Sequence, residues 1–149
     1  MKIAAWNVNS VKARLGHLAD WLKGAAPDVV LLQELKCPTD DFPRLEIEAA
    51  GYNLEVVGQK SYNGVAILAK GKIETQLRHL PGDSGDGHAR YVEATVDGVR
   101  VASLYAPNGN PIGTQKFDYK LKFLDRLAHH MRELLASEMP VVIGGDWNV

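Results

Sequence analysis

The chain has little of what a secreted or membrane protein needs. Its 149 residues include one cysteine, Cys37, which cannot form an internal disulfide and which favours a reducing compartment. No apolar stretch is long enough to span a membrane, and the first residues, MKIAAWNVNS, lack the apolar core of a signal peptide. We therefore expect a soluble, cytoplasmic protein without a membrane partner.

The chain also lacks an excess of basic charge and the common nucleotide-binding loops. Its net charge is -1, so any binding to nucleic acid has to come from a local basic patch. No glycine-rich loop precedes a Lys-Ser or Lys-Thr pair, and no GxGxxG motif follows a predicted strand. These absences exclude the P-loop and dinucleotide-binding classes, whereas a hydrophobic content of 46% is sufficient for one globular domain.

One apolar run leads directly into a carboxylate. Residues 29–32 read Val-Val-Leu-Leu and are followed by Gln33 and Glu34. An uninterrupted apolar run of this length is typical of a strand buried on both faces. A carboxylate at the end of such a strand needs a cation or a cluster of hydrogen-bond donors, because burying it alone is costly.

Two other predicted strands end in the same way. The strand over residues 2–8 closes on Asn7, and the strand over 141–145 is followed by Asp146 and Asn148. If these strands are parallel neighbours, their polar ends and Glu34 meet at one edge of the sheet. Carboxylate and amide oxygens are the ligands that Mg²⁺ and Mn²⁺ prefer, although each residue taken alone could equally be an ordinary turn residue.

The remaining pattern predicts a mixed α/β domain. A strand, a helix and a strand within residues 2–33 form a βαβ unit with parallel strands. Asp97-Gly98 joins two strands as a hairpin, and residues 115–137 form the longest helix, in which His129 and His130 are expected at the surface. We predict one mixed sheet with flanking helices.

Polar and aromatic residues lie on the loops near the strand ends. Each of them could be a solvated rim residue, and Tyr105 could be a half-buried aromatic before a turn. Together they also suit a surface that follows a phosphate backbone and stacks on a base or sugar. The loop residues are Lys36, Tyr62, Asn63, Arg90, Asn108 and Lys116.

Five short blocks carry a resemblance to a known family. They are Trp-Asn-Val-Asn-Ser at 6–10, Leu-Gln-Glu-Leu-Lys at 32–36, Tyr-Asn-Gly-Val-Ala-Ile at 62–67, Leu-Tyr-Ala-Pro-Asn-Gly at 104–109 and Gly-Asp-Trp-Asn at 145–148. In this order they resemble the exonuclease III family, whose members are Mg²⁺-dependent apurinic/apyrimidinic endonucleases of the endonuclease/exonuclease/phosphatase superfamily.

The resemblance implies roles for individual residues. Glu34 is similar to the principal metal ligand of the family, with Asn7 beside it and Asp146 and Asn148 completing the metal site. Tyr105 resembles the tyrosine that contacts the scissile phosphate. Asp146 resembles the acid that orients water or protonates the leaving oxygen, and Asn148 resembles an amide that holds the phosphate. Lys36, Tyr62, Asn63, Arg90, Asn108 and Lys116 would face the DNA.

The resemblance also implies a fold and a partial chain. The family has a DNase I-like fold, a four-layer α/β sandwich, and residues 1–149 match the N-terminal part of that domain, without its C-terminal half. With only one sheet, the chain would expose a face built to pack on a second sheet, at a cost of several kcal/mol at ~25 cal/mol per Å². We therefore expect either a truncated chain or self-association through the exposed sheet face.

Three functions are compatible with the sequence. The first is an Mg²⁺-dependent (Mn²⁺ possible) DNA-repair nuclease that hydrolyses phosphodiester bonds in double-stranded DNA at abasic sites or 3′ ends. The second is a catalytically inactive DNA-binding or interaction fragment. The third is a hydrolase of phosphorylated small molecules or lipids, against which the blocks containing Glu34 and Asn63 argue.

Overall fold

The computed structural model of the chain describes residues 1–149. The strands are β1 (Ile3–Asn7), β2 (Val29–Gln33), β3 (Asn53–Val57), β4 (Val65–Ala69), β5 (Glu74–Leu77), β6 (Tyr91–Val96), β7 (Val99–Tyr105) and β8 (Val141–Asp146). The helices are α1 (Leu15–Ala25), α2 (Arg44–Ala49) and α3 (Gln115–Ala136), and Thr39–Asp41 form a 3₁₀ turn. None of the helices combines the length and the apolar character needed to cross a membrane.

The strands form two sheets of four, each mixed in direction. The first sheet has the order β1-β2-β4-β3 and the second has the order β5-β6-β7-β8. The predicted parallel pair β1–β2 is present, and β7 and β8 form a second parallel pair. Asp97 and Gly98, with φ values of 48° and 79°, join β6 and β7 in the predicted hairpin.

The prediction of one mixed sheet is wrong, since the chain itself supplies both sheets. The periodicity of a strand shows which of its faces is buried but not which strand lies beside it, so two sheets could not be separated from one. Strand β5 was also missed. Its residues are alternately exposed and half-buried, so the strand has no strongly apolar face that would reveal it in the sequence.

The two sheets pack face to face, with helices on their outer faces. Along β2, Val30 and Leu32 pack with α1 and α2, whereas Val29 and Leu31 pack against residues of β6 and β7. Helix α3 covers the outer face of the second sheet through Phe123 and other apolar side chains. These layers give a four-layer α/β sandwich, the fold that the resemblance implied for the family, although only half of it was predicted for this chain. Since the inner face of the first sheet is covered, the predicted reason for self-association is absent.

A buried polar contact joins the sheets below the ends of β2 and β7. The Gln33 side-chain amide donates a hydrogen bond to Ser103 Oγ at 3.0 Å, and the Ser103 hydroxyl donates to the Leu32 carbonyl at 2.8 Å. Both side chains are buried, with relative exposures of 1% and 0%. A paired polar contact of this kind favours one alignment of the two sheets, because a shift would leave buried polar groups unpaired.

A second buried polar network lies between β6, β7 and α3. Glu93 Oε2 accepts a hydrogen bond from the Tyr91 hydroxyl at 2.6 Å and lies 2.6 Å from His130 Nε2, and Glu93 Oε1 accepts a hydrogen bond from Arg100 Nη1 at 2.7 Å. Burial favours a higher pKa for Glu93, but hydrogen bonds from His130, Tyr91 and Arg100 outweigh it and lower the pKa. The expected surface position of His130 is therefore wrong, because its side chain faces a buried carboxylate.

Candidate active site

The carboxyl ends of four strands place polar side chains at one end of the sandwich. Asn7 is the last residue of β1, and Glu34 follows β2 directly. Tyr105 and Asp146 are the last residues of β7 and β8, where they pair with each other. The predicted convergence is therefore present, but it spans two sheets instead of one sheet edge.

The Asn7 amide bridges the two carboxylates. Its Nδ2 donates to Glu34 Oε1 at 2.9 Å and to Asp146 Oδ2 at 2.8 Å. Asn7 Oδ1 accepts the backbone N–H of Asn9 at 3.1 Å, which fixes the direction of the amide. One neutral donor thus holds acids from both sheets close together in a half-buried position.

Two further groups contact Glu34 and hold it in its charged form. The Tyr105 hydroxyl donates to Glu34 Oε1 at 3.0 Å, and Lys36 Nζ lies 3.3 Å from Oε2. Burial favours a higher pKa for Glu34, but hydrogen bonds from Asn7, Tyr105 and Lys36 outweigh it and lower the pKa. Burial, together with the bond to Glu34, raises the pKa of Tyr105 to about 12, so the phenol keeps its proton at neutral pH.

The backbone around Glu34 adopts an unusual conformation. Glu34 and Lys36 have positive φ values of 54° and 55°, which side-chain-bearing residues rarely adopt. Hydrogen bonds from Ser10 N to the Glu34 carbonyl and from Lys36 N to the Asn63 carbonyl hold this turn between two neighbouring loops. Such strain persists only where the surroundings determine it, and it is concentrated at functional sites.

The turn after β8 is fixed by backbone contacts. Asn148 has a φ of 51°, and its backbone N–H donates to Asp146 Oδ1 at 3.0 Å. Its side-chain Nδ2 donates to the Ala106 carbonyl at 2.7 Å. Gly145 has a φ of 148°, and a Cβ at this position would overlap the carbonyl oxygen of Leu104. Asp146 and Asn148 therefore depend on a glycine for their placement.

Lys120 joins the two loops that carry the predicted amides, and the sequence analysis did not identify it. Its Nζ donates to the Asn148 carbonyl at 2.7 Å and to the Asn108 carbonyl at 3.3 Å. The side chain lies against Gly109, where a Cβ would meet its methylenes. The only sequence signal was its position four residues after Lys116, on the same face of the helix.

Replacing Lys120 with methionine should loosen both loops. The variant keeps most of the apolar stem but removes a charged donor from two carbonyls, which we expect to lower the free energy of unfolding by about 1.5–3 kcal/mol. Urea unfolding and hydrogen exchange at the Asn148 amide measure the two effects. Lys122→Met, at an exposed site on the same helix, is the matched control. Equal behaviour of the two variants would contradict this role for Lys120.

The predicted DNA-facing residues separate into two groups. Tyr62 is 71% exposed, and Asn108, Lys36 and Lys116 are also exposed. Asn63 is not at the surface: it is 8% exposed, and its Nδ2 donates to Gln59 Oε1 at 2.9 Å within the loop. In this position the side chain supports the loop, and its contact with DNA stays a prediction.

Arg90 is half-buried and stacked between two aromatic rings. Its Cζ lies 5.0 Å from the ring centre of Tyr105 and 5.7 Å from that of Tyr119. Its Nη1 also donates to the Tyr105 carbonyl at 3.3 Å. This stacking holds the guanidinium beside the phenol that contacts Glu34.

The donor set beside the groove at this end of the sandwich suits a hard divalent cation. The groove has a volume of about 760 Å³, and Asn7, Asp146 and Asn148 line it, with Glu34 bonded to the same Asn7 amide. No group of three or more His, Cys, Asp or Glu side chains is arranged so that it could hold a metal ion by itself. One or two carboxylates, completed by water and substrate oxygens, are the usual protein ligands of Mg²⁺. The lining of the groove contains no Cys or His, so its chemistry does not fit a thiolate or imidazole site.

Comparisons with known proteins agree with this geometry. The model of the endonuclease/exonuclease/phosphatase family matches residues 4–149. The chain belongs to this family. Exodeoxyribonuclease III of Haemophilus influenzae is 31% identical over 154 residues, a match that covers all of this chain and 58% of that protein. The resemblance predicted from the five blocks is thereby confirmed.

Solved structures of family members have the same fold. The 3′ phosphatase NExo from Neisseria, in a structure bound to a product DNA hairpin, is 36% identical with a TM-score of 0.96. An AP endonuclease from Archaeoglobus fulgidus is 34% identical with a TM-score of 0.94. Each match covers all of this chain and 58% of the other chain, so the chain spans little more than half the length of these family members.

Proposed function

We propose that this chain carries the phosphate-binding and metal-binding part of an Mg²⁺-dependent DNA-repair nuclease that acts at abasic sites or 3′ ends of double-stranded DNA. Residues 1–149 would form the N-terminal part of the family domain, in a cytoplasmic protein. The observation that carries the proposal is the Asn7 amide, which holds Glu34 and Asp146 from separate sheets beside one groove. Relatives named for exodeoxyribonuclease III and AP endonuclease activity support the choice of DNA as substrate.

Glu34, Asn7, Asp146 and Asn148 would hold the cation. When bound, Mg²⁺ would neutralise the non-bridging oxygens of the scissile phosphate and the leaving oxygen. Glu34 suits this site because the hydrogen bonds that lower its pKa keep it ionised at neutral pH. Its contact with Lys36 balances the charge of the carboxylate, because the ammonium lies 3.3 Å from Oε2.

The chain's own donors would bind and orient the phosphate. The Tyr105 hydroxyl keeps its proton at neutral pH. If a bound cation replaced it as the partner of Glu34, the hydroxyl could donate to a phosphate oxygen instead. The amides of Asn108 and Asn148 are fixed donors for the charge that develops in the pentacoordinate transition state. Asp146 would orient the attacking water or protonate the leaving oxygen. Lys36, Tyr62, Arg90 and Lys116 would contact the flanking DNA.

Cleavage of labelled duplexes tests this proposal directly. One duplex carries a single abasic site and another carries a 3′ phosphate, and each is incubated with the purified chain in Mg²⁺, in Mn²⁺ or in chelator. We expect metal-dependent cleavage that falls by about 10²–10³-fold in Glu34→Gln and in Asp146→Asn. Glu74→Gln, at an exposed position on β5, is the matched control and should cleave like the wild type.

Three outcomes would reject the nuclease proposal. Cleavage that survives in chelator, or in both site variants, would place the chemistry elsewhere. A folded wild-type chain that binds duplex with a strong salt dependence but never cleaves it would support the alternative, a DNA-binding fragment. Preferential hydrolysis of inositol phosphates over both DNA substrates would assign the chain to the third function considered from the sequence.

A further inference from the structure

Helix α3 has two apolar stripes, and only one of them is buried. The first stripe contains Phe123 and Leu127, which pack on the outer face of the second sheet. The second stripe is half-buried or exposed, and Leu121 and Leu135 within it are 47% and 74% exposed. Its members are spaced alternately four and three residues apart and are Phe117, Leu121, Leu124, Ala128, Met131 and Leu135. This is the spacing of a helix that packs along another helix.

The second stripe faces past β8, on the open side of the second sheet. On one flank of α3, Tyr119 and Arg126 contact Asp86 in the loop before β6. On the opposite flank, Lys120 donates to the Asn148 carbonyl beyond β8. At 3.6 residues per turn the second stripe lies on the flank of Lys120, so no element of the chain lies beyond it.

Strand β8 is the outermost strand on this side of the sheet. Only β7 pairs with it, so the backbone groups along its other edge have no strand partner. The strand reads Val-Val-Ile-Gly-Gly-Asp, without a lysine or a proline that would discourage further pairing. Val142, beside this edge, is 38% exposed. An unprotected apolar edge next to an apolar helix stripe suits another strand together with another helix.

We propose that a second copy of this chain occupies this surface, through antiparallel pairing of the two β8 strands. A strand that pairs antiparallel with its own copy generates a twofold axis, so both partners present the same surface. The pairing is edge to edge and joins the second sheets of the two copies into one continuous sheet, while the packed inner faces stay as they are. Helix α3 runs opposite to β8, because it connects the parallel strands β7 and β8. The axis therefore places two antiparallel α3 helices on one outer face, with their second stripes toward each other.

The position of α3 over β8 fixes which helix residues lie near the axis. Residues 137–140 join the end of α3 to the start of β8, and Lys120 lies beside Asn148 at the other end. The middle of β8 is therefore beside the segment from Ala128 to Met131. With the axis at the middle of the paired strands, Ala128 packs on Met131 of the partner subunit.

The residues around this axis are self-complementary in shape and charge. In the same register Leu124 packs on Leu135 of the partner subunit, which covers the most exposed residue of the second stripe. Asp125 and Arg132 are exposed along the outer border of the stripe. They lie seven residues apart, so each Asp125 faces Arg132 of the partner subunit and the ion pair occurs twice. Complementary charges of this kind select the register of a helix pair.

The surface is long enough for a small specific interface. Residues 121–136 of α3 span about 23 Å at 1.5 Å per residue. Strand β8 adds six residues from each copy. Specific interfaces begin near about 1,200 Å² of total buried area, and those at the small end of the range are transient. We therefore expect a dimer that dissociates in the micromolar range.

Sedimentation velocity of the purified chain between about 1 and 200 μM tests the dimer. We expect the particle mass to rise from one chain to two over this range. Leu135→Lys should raise the dissociation constant by about 10-fold or more, because it buries an unpaired charge. Leu45→Lys is the matched control, since Leu45 is 77% exposed but lies in α2, beside β3 at the far edge of the first sheet. It should leave the dissociation constant unchanged.

Exchanging the charges tests the register. Asp125→Arg and Arg132→Asp should each weaken the dimer by about 3–10-fold, because each places like charges opposite one another. The double variant should return to within about twofold of the wild type. Hydrogen exchange at high protein concentration should protect additional amides in β8. Strand β5, the opposite edge of the same sheet, is the internal control and should show no added protection.

Three outcomes would overturn the inference. The first is a folded chain that stays monomeric over the whole concentration range. The second is a dimer that responds equally to Leu135→Lys and Leu45→Lys, or whose double charge variant is weaker than either single variant. The third is protection of β8 only after the part of Haemophilus influenzae exodeoxyribonuclease III that this chain does not match is added as a separate polypeptide, which would identify a different occupant. None of these outcomes bears on the nuclease proposal, because the interface uses no side chain of the candidate active site.

Discussion

Replacing Glu93 with alanine is expected to lower the free energy of unfolding by about 3–5 kcal/mol. The carboxylate is 1% exposed and is held by Tyr91, Arg100 and His130. Its removal leaves the half-buried Arg100, whose side chain is 19% exposed, without its counter-charge. It also leaves the Tyr91 hydroxyl without an acceptor in a region from which water is excluded. Loss of one partner from a buried network costs more than the pairing itself contributes.

Urea unfolding at neutral pH measures this effect. Glu74→Ala, on the neighbouring strand β5, removes an exposed carboxylate that pairs only with Lys72 and should change the free energy of unfolding by less than about 1 kcal/mol. A loss of similar size in both variants would mean that the buried network contributes little to stability.

The same network predicts a dependence of stability on pH. The pKa of Glu93 is lower in the folded chain than its ordinary value, so its stabilisation is complete above the unfolded value of about 4.3 and is lost as the pH falls through the folded value. Glu93→Gln cannot titrate. The difference in stability between the wild type and this variant should therefore narrow from pH 7 to pH 3, and a constant difference would contradict the assignment.

Replacing Gly145 with alanine should lower the free energy of unfolding by about 2–6 kcal/mol, an effect comparable to that of Glu93→Ala. The strained backbone contributes about 1–3 kcal/mol and the overlap with the Leu104 carbonyl about as much again. The carbonyl belongs to a strand in the middle of the second sheet and cannot move aside without breaking its pairing with β8. Because Asp146 follows directly, the backbone of the candidate site should shift as well.

Gly24 provides the control for this substitution. It lies in α1, and a Cβ there would meet nothing within 4 Å, so Gly24→Ala should stabilise the chain by about 0.5–1 kcal/mol. Thermal unfolding compares the two variants, and the chemical shift of the Asn148 amide reports on the turn after β8. If Gly145→Ala unfolds like the wild type with an unchanged Asn148 amide, the turn does not require glycine.

Most of the local structure could be predicted from the sequence, and so could the strand ends that converge at the candidate site. The apolar run at 29–32 predicted a buried strand, Asp97-Gly98 predicted a hairpin, and the polar residues at strand ends predicted one cluster. These signals are local, because each depends on neighbours within a few residues. The division into two sheets is a property of pairing between distant segments, and no periodicity encodes it.

The errors at single residues have the same origin. His130 is a polar residue in a position where the sequence gives no reason for burial, and its partner, Glu93, lies on another element. Lys120 was missed because its function is to contact two backbone carbonyls, and carbonyls are common to every residue. Such contacts become visible only when the loops are placed in space.

The bridge from Asn7 to Glu34 and Asp146 also bears on how the two layers hold together. The two acids are anchored in different sheets and are joined across the seam of the sandwich by one neutral amide. Lys36, whose Nζ lies 3.3 Å from Glu34 Oε2, offsets one of the two charges, and the remaining repulsion acts to separate the layers. Under the proposed function, a bound cation would offset this repulsion, so the metal would stabilise the fold as well as take part in the reaction.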